Sequence, residues 1–150
     1  MITTVLIVDD DPEMRELLTS ILGDAGYFIE TASSGKEAVK VCKDSPIDVA
    51  LIDVELPDTK GTNLLSTIKA LQPKMVKIII TGHPSIENAV TSVNERADGY
   101  IVKPFNPADL LEMIKRIQND KKNEYLTVLK EMEQAKQNTP ITKYISPDKW

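Results

Sequence analysis

Several things are scarce in this 150-residue chain, and each scarcity closes a line of interpretation. There is one cysteine, Cys42, so no disulfide can form within the chain. Its helical spacing from Ala38 and Val39 reads as core packing. The single histidine, His83, follows a glycine in a loop and is a poor metal ligand. Basic residues are not in surplus: 18 Lys and Arg stand against 23 Asp and Glu, a formal net charge of −5. A binder of phosphate backbones needs a concentrated Lys/Arg surface, so the balance argues against direct DNA binding, and none is expected. No apolar run approaches the ~20 residues needed to span a bilayer, which argues against a membrane protein. The opening MITTVLIVDD lacks the basic leader and long apolar core of a secretory signal, and the chain is expected to be cytoplasmic. Internal repeats and low-complexity tracts are also missing.

What is present is a 41% hydrophobic chain of one-domain size, able to bury roughly 70% of its unfolded surface. Five short aliphatic runs read as strands: Thr4 to Val8, Tyr27 to Thr31, Val49 to Ile52, Val76 to Thr81 and Gly99 to Val102. Between them apolar residues recur at helical spacing, as in Met14, Leu17, Leu18, Ile21 and Leu22, in Leu64, Leu65, Ile68 and Leu71, and in Ile86, Ala89, Val90 and Val93. This alternation predicts an α/β fold: a doubly wound, five-stranded parallel sheet with helices on both faces. Helix starts are punctuated. Asp11 can cap the first helix with Pro12 at its first position, Ser33 or Ser34 the second, and Pro84-Ser85 and Asn106-Pro107 can open the last two. From Pro107 a helix with Leu110, Leu111, Ile114 and Ile117 on one face runs into the polar stretch Asn119 to Glu124. Apolar spacing resumes at Tyr125, Leu126, Leu129 and Met132, either as a continuation or as a separate short helix, before an irregular tail.

Ligands of open parallel sheets bind beyond the carboxyl ends of the strands. The polar residues just past strands one, three, four and five should therefore converge: Asp9 and Asp10, Asp53, Thr81 and Lys103. Singly each has an ordinary explanation, capping for the Asp pair and a solvated charge for Lys103. Together they make a rim of three acids, one hydroxyl and one amine. Crowded carboxylates repel unless a cation is present, and Mg²⁺ is the natural neutraliser of carboxylates with phosphate oxygens. Beside such an ion one carboxylate can act as a nucleophile toward phosphorus, with Lys103 and Thr81 as donors to the phosphoryl oxygens.

The combination of Val8-Asp9-Asp10, Leu51-Ile52-Asp53 with Leu56-Pro57 and Gly61, Ile80-Thr81-Gly82, and Tyr100-Ile101-Val102-Lys103-Pro104-Phe105 resembles the CheY-like receiver domain of two-component response regulators. The resemblance implies a flavodoxin-like (βα)5 fold with strand order 2-1-3-4-5. It spans residues 1–120, which leaves 121–150 as a C-terminal helical extension and tail. It implies that Asp53 is the phosphoacceptor. It makes Asp10 a direct Mg²⁺ ligand, Asp9 a ligand acting mainly through water, and the backbone carbonyl of Glu55 a further one. Thr81 matches the switch hydroxyl, Lys103 the phosphate-pairing amine, and Tyr100 the aromatic that turns inward when Thr81 moves. The Lys103-Pro104 bond is expected to be cis. Side chains at Glu55 and His83 are expected to influence how water reaches the acyl phosphate, and Asp58 is read as a turn residue.

The implied role is a signalling switch, not a turnover enzyme. A histidine kinase or phosphotransfer protein donates the phosphoryl group, and a changed surface meets a downstream protein effector or a second copy. Alternatives are a receiver piece of a longer regulator or hybrid kinase, and a phosphatase of the haloacid dehalogenase type. The latter class wants a second Asp two residues after the nucleophile, where this chain has Glu55.

Overall fold

Five strands, all parallel, form one sheet in the order β2-β1-β3-β4-β5: β1 (Thr4–Val8), β2 (Phe28–Ala32), β3 (Val49–Asp53), β4 (Val76–Thr81) and β5 (Gly99–Val102). The computed structural model describes residues 2–138. The described residues fall into two units, divided after Ile117. Helices α1 (Pro12–Asp24), α2 (Gly35–Asp44), α3 (Gly61–Leu71), α4 (Ile86–Asn94) and α5 (Pro107–Asn138) alternate with the strands. The periodicity reading and the strand order both hold. Three strand ends moved by one residue: β2 runs from Phe28 to Ala32 rather than from Tyr27 to Thr31, and β3 runs on to include Asp53.

The period-two alternation of the strands divides the core. Leu6, Val8, Ala50, Ile52 and Ile79 face one side and pack with Ala38 and Cys42 of α2 and Leu64, Leu65 and Ile68 of α3. Val5, Ile7, Val49, Leu51, Ile78 and Ile80 face the other, against Leu18 and Leu22 of α1 and Leu110, Ile114 and Ile117 of α5. β1, β3 and β4, with helices on both faces, are buried almost end to end, as a central parallel strand must be.

The caps follow their chemistry. Asp11 accepts the Glu13 N–H at 3.0 Å with Pro12 opening α1, Ser34 accepts from Glu37 at 3.1 Å, and Ser85 accepts from Asn88 at 3.0 Å. α5 is one helix from Pro107 to Asn138, so the apolar positions after residue 124 continue it rather than starting another. The expected irregular tail lies outside the described residues.

One periodic pattern does not face the core. On α4, Ile86 is 86% exposed and Val93 74%, with Val90 also exposed, while the residue it buries is Ser92. Spacing identified the helix correctly but not which stripe would turn inward. A second departure is Lys77, buried near the start of β4, with its ammonium 3.2 Å from the Met75 carbonyl and 3.7 Å from Asp98.

Candidate functional site

Because the strands all run one way, the residues that end or follow them share a rim. Asp9 follows β1 and is almost wholly buried, so its carboxylate needs partners. It has them: Oδ1 accepts the Asp11 N–H at 2.9 Å and Oδ2 accepts Lys103 Nζ at 3.0 Å. Its backbone carbonyl accepts the Arg15 guanidinium at 2.8 Å, which ties the loop to α1. Asp53 ends β3; Oδ1 accepts the Glu55 N–H at 3.0 Å and Oδ2 accepts Lys103 Nζ at 2.9 Å. One ammonium thus bridges two carboxylates that come from strands 44 positions apart in sequence, and the Lys103 N–H anchors to the Thr81 carbonyl at 2.7 Å. The Lys103-Pro104 peptide is cis. Gly61 opens α3 against this corner: a Cβ there would collide with the Asp53 carbonyl, so only glycine permits the approach.

Asp10 is exposed, and its carboxylate completes a cluster. Ligand atoms of Asp9, Asp10 and Asp53 all lie within 4.8 Å of one another. Three carboxylates face one ammonium there, an excess of negative charge that suits a hard divalent cation with oxygen ligands. The donor set therefore fits Mg²⁺.

Burial is the largest influence on Asp9 and holds its pKa above the ordinary 3.8, with the charge of Asp53 acting in the same sense; the Asp11 N–H and Lys103 oppose it. For Lys103 burial is also the largest single influence, and it disfavours the ammonium. The hydrogen bonds and charges of Asp53 and Asp9 together outweigh it and leave the pKa above 10.5. A raised lysine pKa stabilises the folded chain in full below 10.5 and is lost as pH climbs through the folded value. At neutral pH the lysine carries its charge.

The remaining expected site residues stand differently. Thr81, the last residue of β4, is fully buried and its Oγ1 accepts the His83 N–H at 3.0 Å. Tyr100 pairs with Ile79 across β4 and β5 and packs on the core face shared with α2 and α3. Its hydroxyl is buried with no hydrogen-bond partner among the described residues. Glu55 turns its carboxylate to an ion pair with Lys60, closing an isolated bridge beside the site. The structure thus brings Asp9, Asp10, Asp53 and Lys103 together, with Thr81 one strand end away.

Two contributors were not legible as such in the sequence. Arg15 is one helical turn into α1, where a polar residue is unremarkable. Asp58 is more than a turn residue: its two carboxylate oxygens accept the Gly35 and Lys36 N–H groups at 2.8 and 2.9 Å, closing the start of α2. Those bonds hold its pKa below 3.8. The signal that could have found it is weak, an acid 23 residues after a Ser-Gly helix start.

The response regulator receiver domain family matches residues 5–115, the span that contains every side chain above. The chain belongs to this family. Among similar solved structures, a CheY-like receiver domain protein from Methanospirillum hungatei JF-1 is 41% identical with a TM-score of 0.80, covering 83% of this chain and 99% of that one. A response regulator from Burkholderia pseudomallei is 27% identical with a TM-score of 0.73, covering 82% and 72%, and was crystallised with a phosphorylated aspartic acid and a calcium ion. The NtrX-like response regulator of Rickettsia bellii (strain RML369-C) is 37% identical over 114 residues, 75% of this receiver chain and 24% of the relative. The chain thus spans about a quarter of the length of the curated relatives it matches first. Receiver domains are the phosphorylation-dependent switches of two-component systems and interact with histidine kinases. Among the described residues no helix is long and apolar enough to cross a membrane.

Proposed function

We propose that Asp53 accepts a phosphoryl group from a phosphohistidine of a histidine kinase or phosphotransfer protein, and that the modified chain signals by protein contact. The observation that carries this is the bridge of Lys103 Nζ to Asp53 and Asp9, with Asp10 within ligand distance. A carboxylate oxygen of Asp53 bonds to phosphorus as the phosphorus–nitrogen bond of the donor breaks and the imidazole nitrogen keeps the electron pair. In a separate step water attacks phosphorus, the bond from phosphorus to the Asp53 oxygen breaks with the pair staying on the carboxylate, and inorganic phosphate leaves. The carboxylates of Asp9, Asp10 and Asp53 and the backbone carbonyl of Glu55 would hold Mg²⁺, which when bound neutralises charge on the phosphoryl oxygens.

The chain's own residues supply the rest. Lys103 keeps its charge at neutral pH and pairs with a phosphoryl oxygen once Asp53 is modified. Thr81 turns its hydroxyl toward another of those oxygens, and Tyr100 occupies the inward position as it does so. The exposed Ile86, Val90 and Val93 of α4 and Val102 of β5 supply apolar surface whose presentation changes with Thr81 and Tyr100. On this reading the receiver covers 1–120, works in the cytosol, and catalyses only its own phosphorylation and dephosphorylation. The greater length of the relatives favours a second reading, in which the chain acts as the receiver portion of a longer regulator.

Incubation with acetyl phosphate and Mg²⁺ tests the proposal by intact mass. The chain gains one phosphoryl group; Asp53→Asn gains none, and chelating the Mg²⁺ abolishes the gain. Phosphorylation that persists in Asp53→Asn would overturn the assignment.

A further inference from the structure

The loop from Val54 to Lys60 leaves the phosphoacceptor strand and runs into α3, and its base is secured differently from its tip. At the base, the Gly61 N–H donates to the Val54 carbonyl at 2.7 Å, and Val54 is fully buried. Within the loop, the Leu56 N–H donates to the Thr59 carbonyl at 3.2 Å. Lys60 stands at the N-cap of α3, and its side chain makes no capping hydrogen bond. It pairs with Glu55 instead; both partners are about half exposed, so the pair holds the loop weakly.

The tip is fixed from outside. Asp58 accepts the Gly35 and Lys36 N–H groups at 2.8 and 2.9 Å. These are the first two N–H groups of α2, which find no acceptor within the helix, and the next, that of Glu37, is taken by Ser34. A carboxylate at this point also meets the positive end of the helix dipole. Thr59 packs into the same corner: a Cβ at Gly35 would come within 2.5 Å of its Cγ2, so the loop and the start of α2 approach closely.

These contacts reach the phosphoacceptor site through one peptide plane. The Leu56 N–H and the Glu55 carbonyl belong to the same planar amide, so what fixes one fixes the direction of the other. Thr59, next to Asp58, supplies the acceptor for that N–H, and the Glu55 carbonyl is a group proposed to hold Mg²⁺. We infer that Asp58 is a positioning residue for the metal: by latching the loop tip to α2, it keeps the Glu55–Leu56 peptide in the orientation in which its carbonyl serves the ion. The inference rests on the metal role proposed for Asp53 and its neighbours. Buried Val54 and the packing of Leu56 on the core keep the loop folded when the latch is lost, so the loss is read in metal affinity.

Titration of the full 150-residue chain with magnesium chloride at pH 7 and constant ionic strength, followed by amide NMR shifts, gives the Mg²⁺ affinity without any phosphoryl donor. Asp58→Ala weakens Mg²⁺ binding about tenfold, and Asp58→Asn, which keeps one acceptor oxygen, about threefold. Ser85→Ala removes a cap from α4, where the Ser85 Oγ accepts the Asn88 N–H at 3.0 Å, and lowers the Tm with the Mg²⁺ affinity unchanged. Wild-type affinity retained in Asp58→Ala overturns the inference. So does a loss that Ser85→Ala reproduces, since the effect would then follow stability alone. In both cases the wild type still binds Mg²⁺ and the metal role stands. A wild type that binds no Mg²⁺ overturns that role and this inference with it.

Discussion

The strand-end rim and the α4 surface invert the usual partition in opposite directions. At the rim, Asp9 and Lys103 hold charge in places where water is largely excluded. On α4, Ile86, Val90 and Val93 leave apolar surface in water. The rim tolerates its charges because each is hydrogen-bonded: Lys103 to two carboxylates, and Asp9 also to the Asp11 N–H. The α4 surface has no such compensation, and nothing in the folding of residues 2–117 requires it to be apolar. Groups that fit their environment poorly in the isolated fold are where a ligand or partner is expected to act.

The contrast can be broken most sharply by comparing α4 with the core. Ile79→Ala, in the fully buried centre of β4, should cost about 3 kcal/mol, because it removes buried methyl groups and leaves a cavity. Val93→Ala on α4 should change stability by less than about 0.5 kcal/mol. Urea unfolding of both measures the gap, and comparable losses would mean that the α4 stripe is packed rather than open. Next in size is Lys103→Met. It strands the almost wholly buried carboxylate of Asp9 and the largely buried one of Asp53, and should cost about 1–2 kcal/mol at pH 7, discounted for the partial exposure of the lysine. Lowering the pH to protonate Asp9, whose pKa is already raised, should narrow that loss. A loss that does not change with pH would show that the lysine stem, not its charge, matters.

Smaller effects sharpen the same comparison. Tyr100→Phe removes a buried hydroxyl that has no partner among the described residues and should raise stability by about 1 kcal/mol, read as a higher Tm. A clear decrease would reveal a hidden partner. The smallest change expected is in Asp58→Asn, which replaces a carboxylate that accepts two backbone N–H groups at the start of α2. Its depressed pKa contributes stability above 3.8 that is lost as pH falls through the folded value. The difference between wild type and Asp58→Asn should therefore be present at pH 7 and shrink at pH values below 3.8. An equal difference at both would assign the effect to packing.

Most of the rim could be read before the fold was in view, for a simple reason. In a parallel sheet the end of each strand is a position along the chain, so finding where the aliphatic runs of β1, β3 and β4 stop also finds Asp9, Asp53 and Thr81. Lys103 follows in the same way from β5. Arg15 and Asp58 were not visible because they act through contacts with backbone groups, and any polar residue in a turn or first helical turn looks alike in sequence. Periodicity located α4 but left open which way its apolar stripe turns, because spacing defines a stripe and not the neighbour it meets.

The sequence by itself determined the alternation of five strands with five helices, the caps at Asp11, Ser34 and Ser85 among its candidates, and the residues that reach the sheet's carboxyl edge. These depend on local spacing and local hydrogen bonding, which the order of residues contains. The tertiary structure alone decided that one ammonium serves both Asp9 and Asp53, that Lys77 is buried, that Asp58 closes α2, and that Ile86 and Val93 remain in water. Each of these depends on which distant segment arrives next to which. That is settled by how the whole set of apolar faces can be covered at once, not by any one stretch of chain.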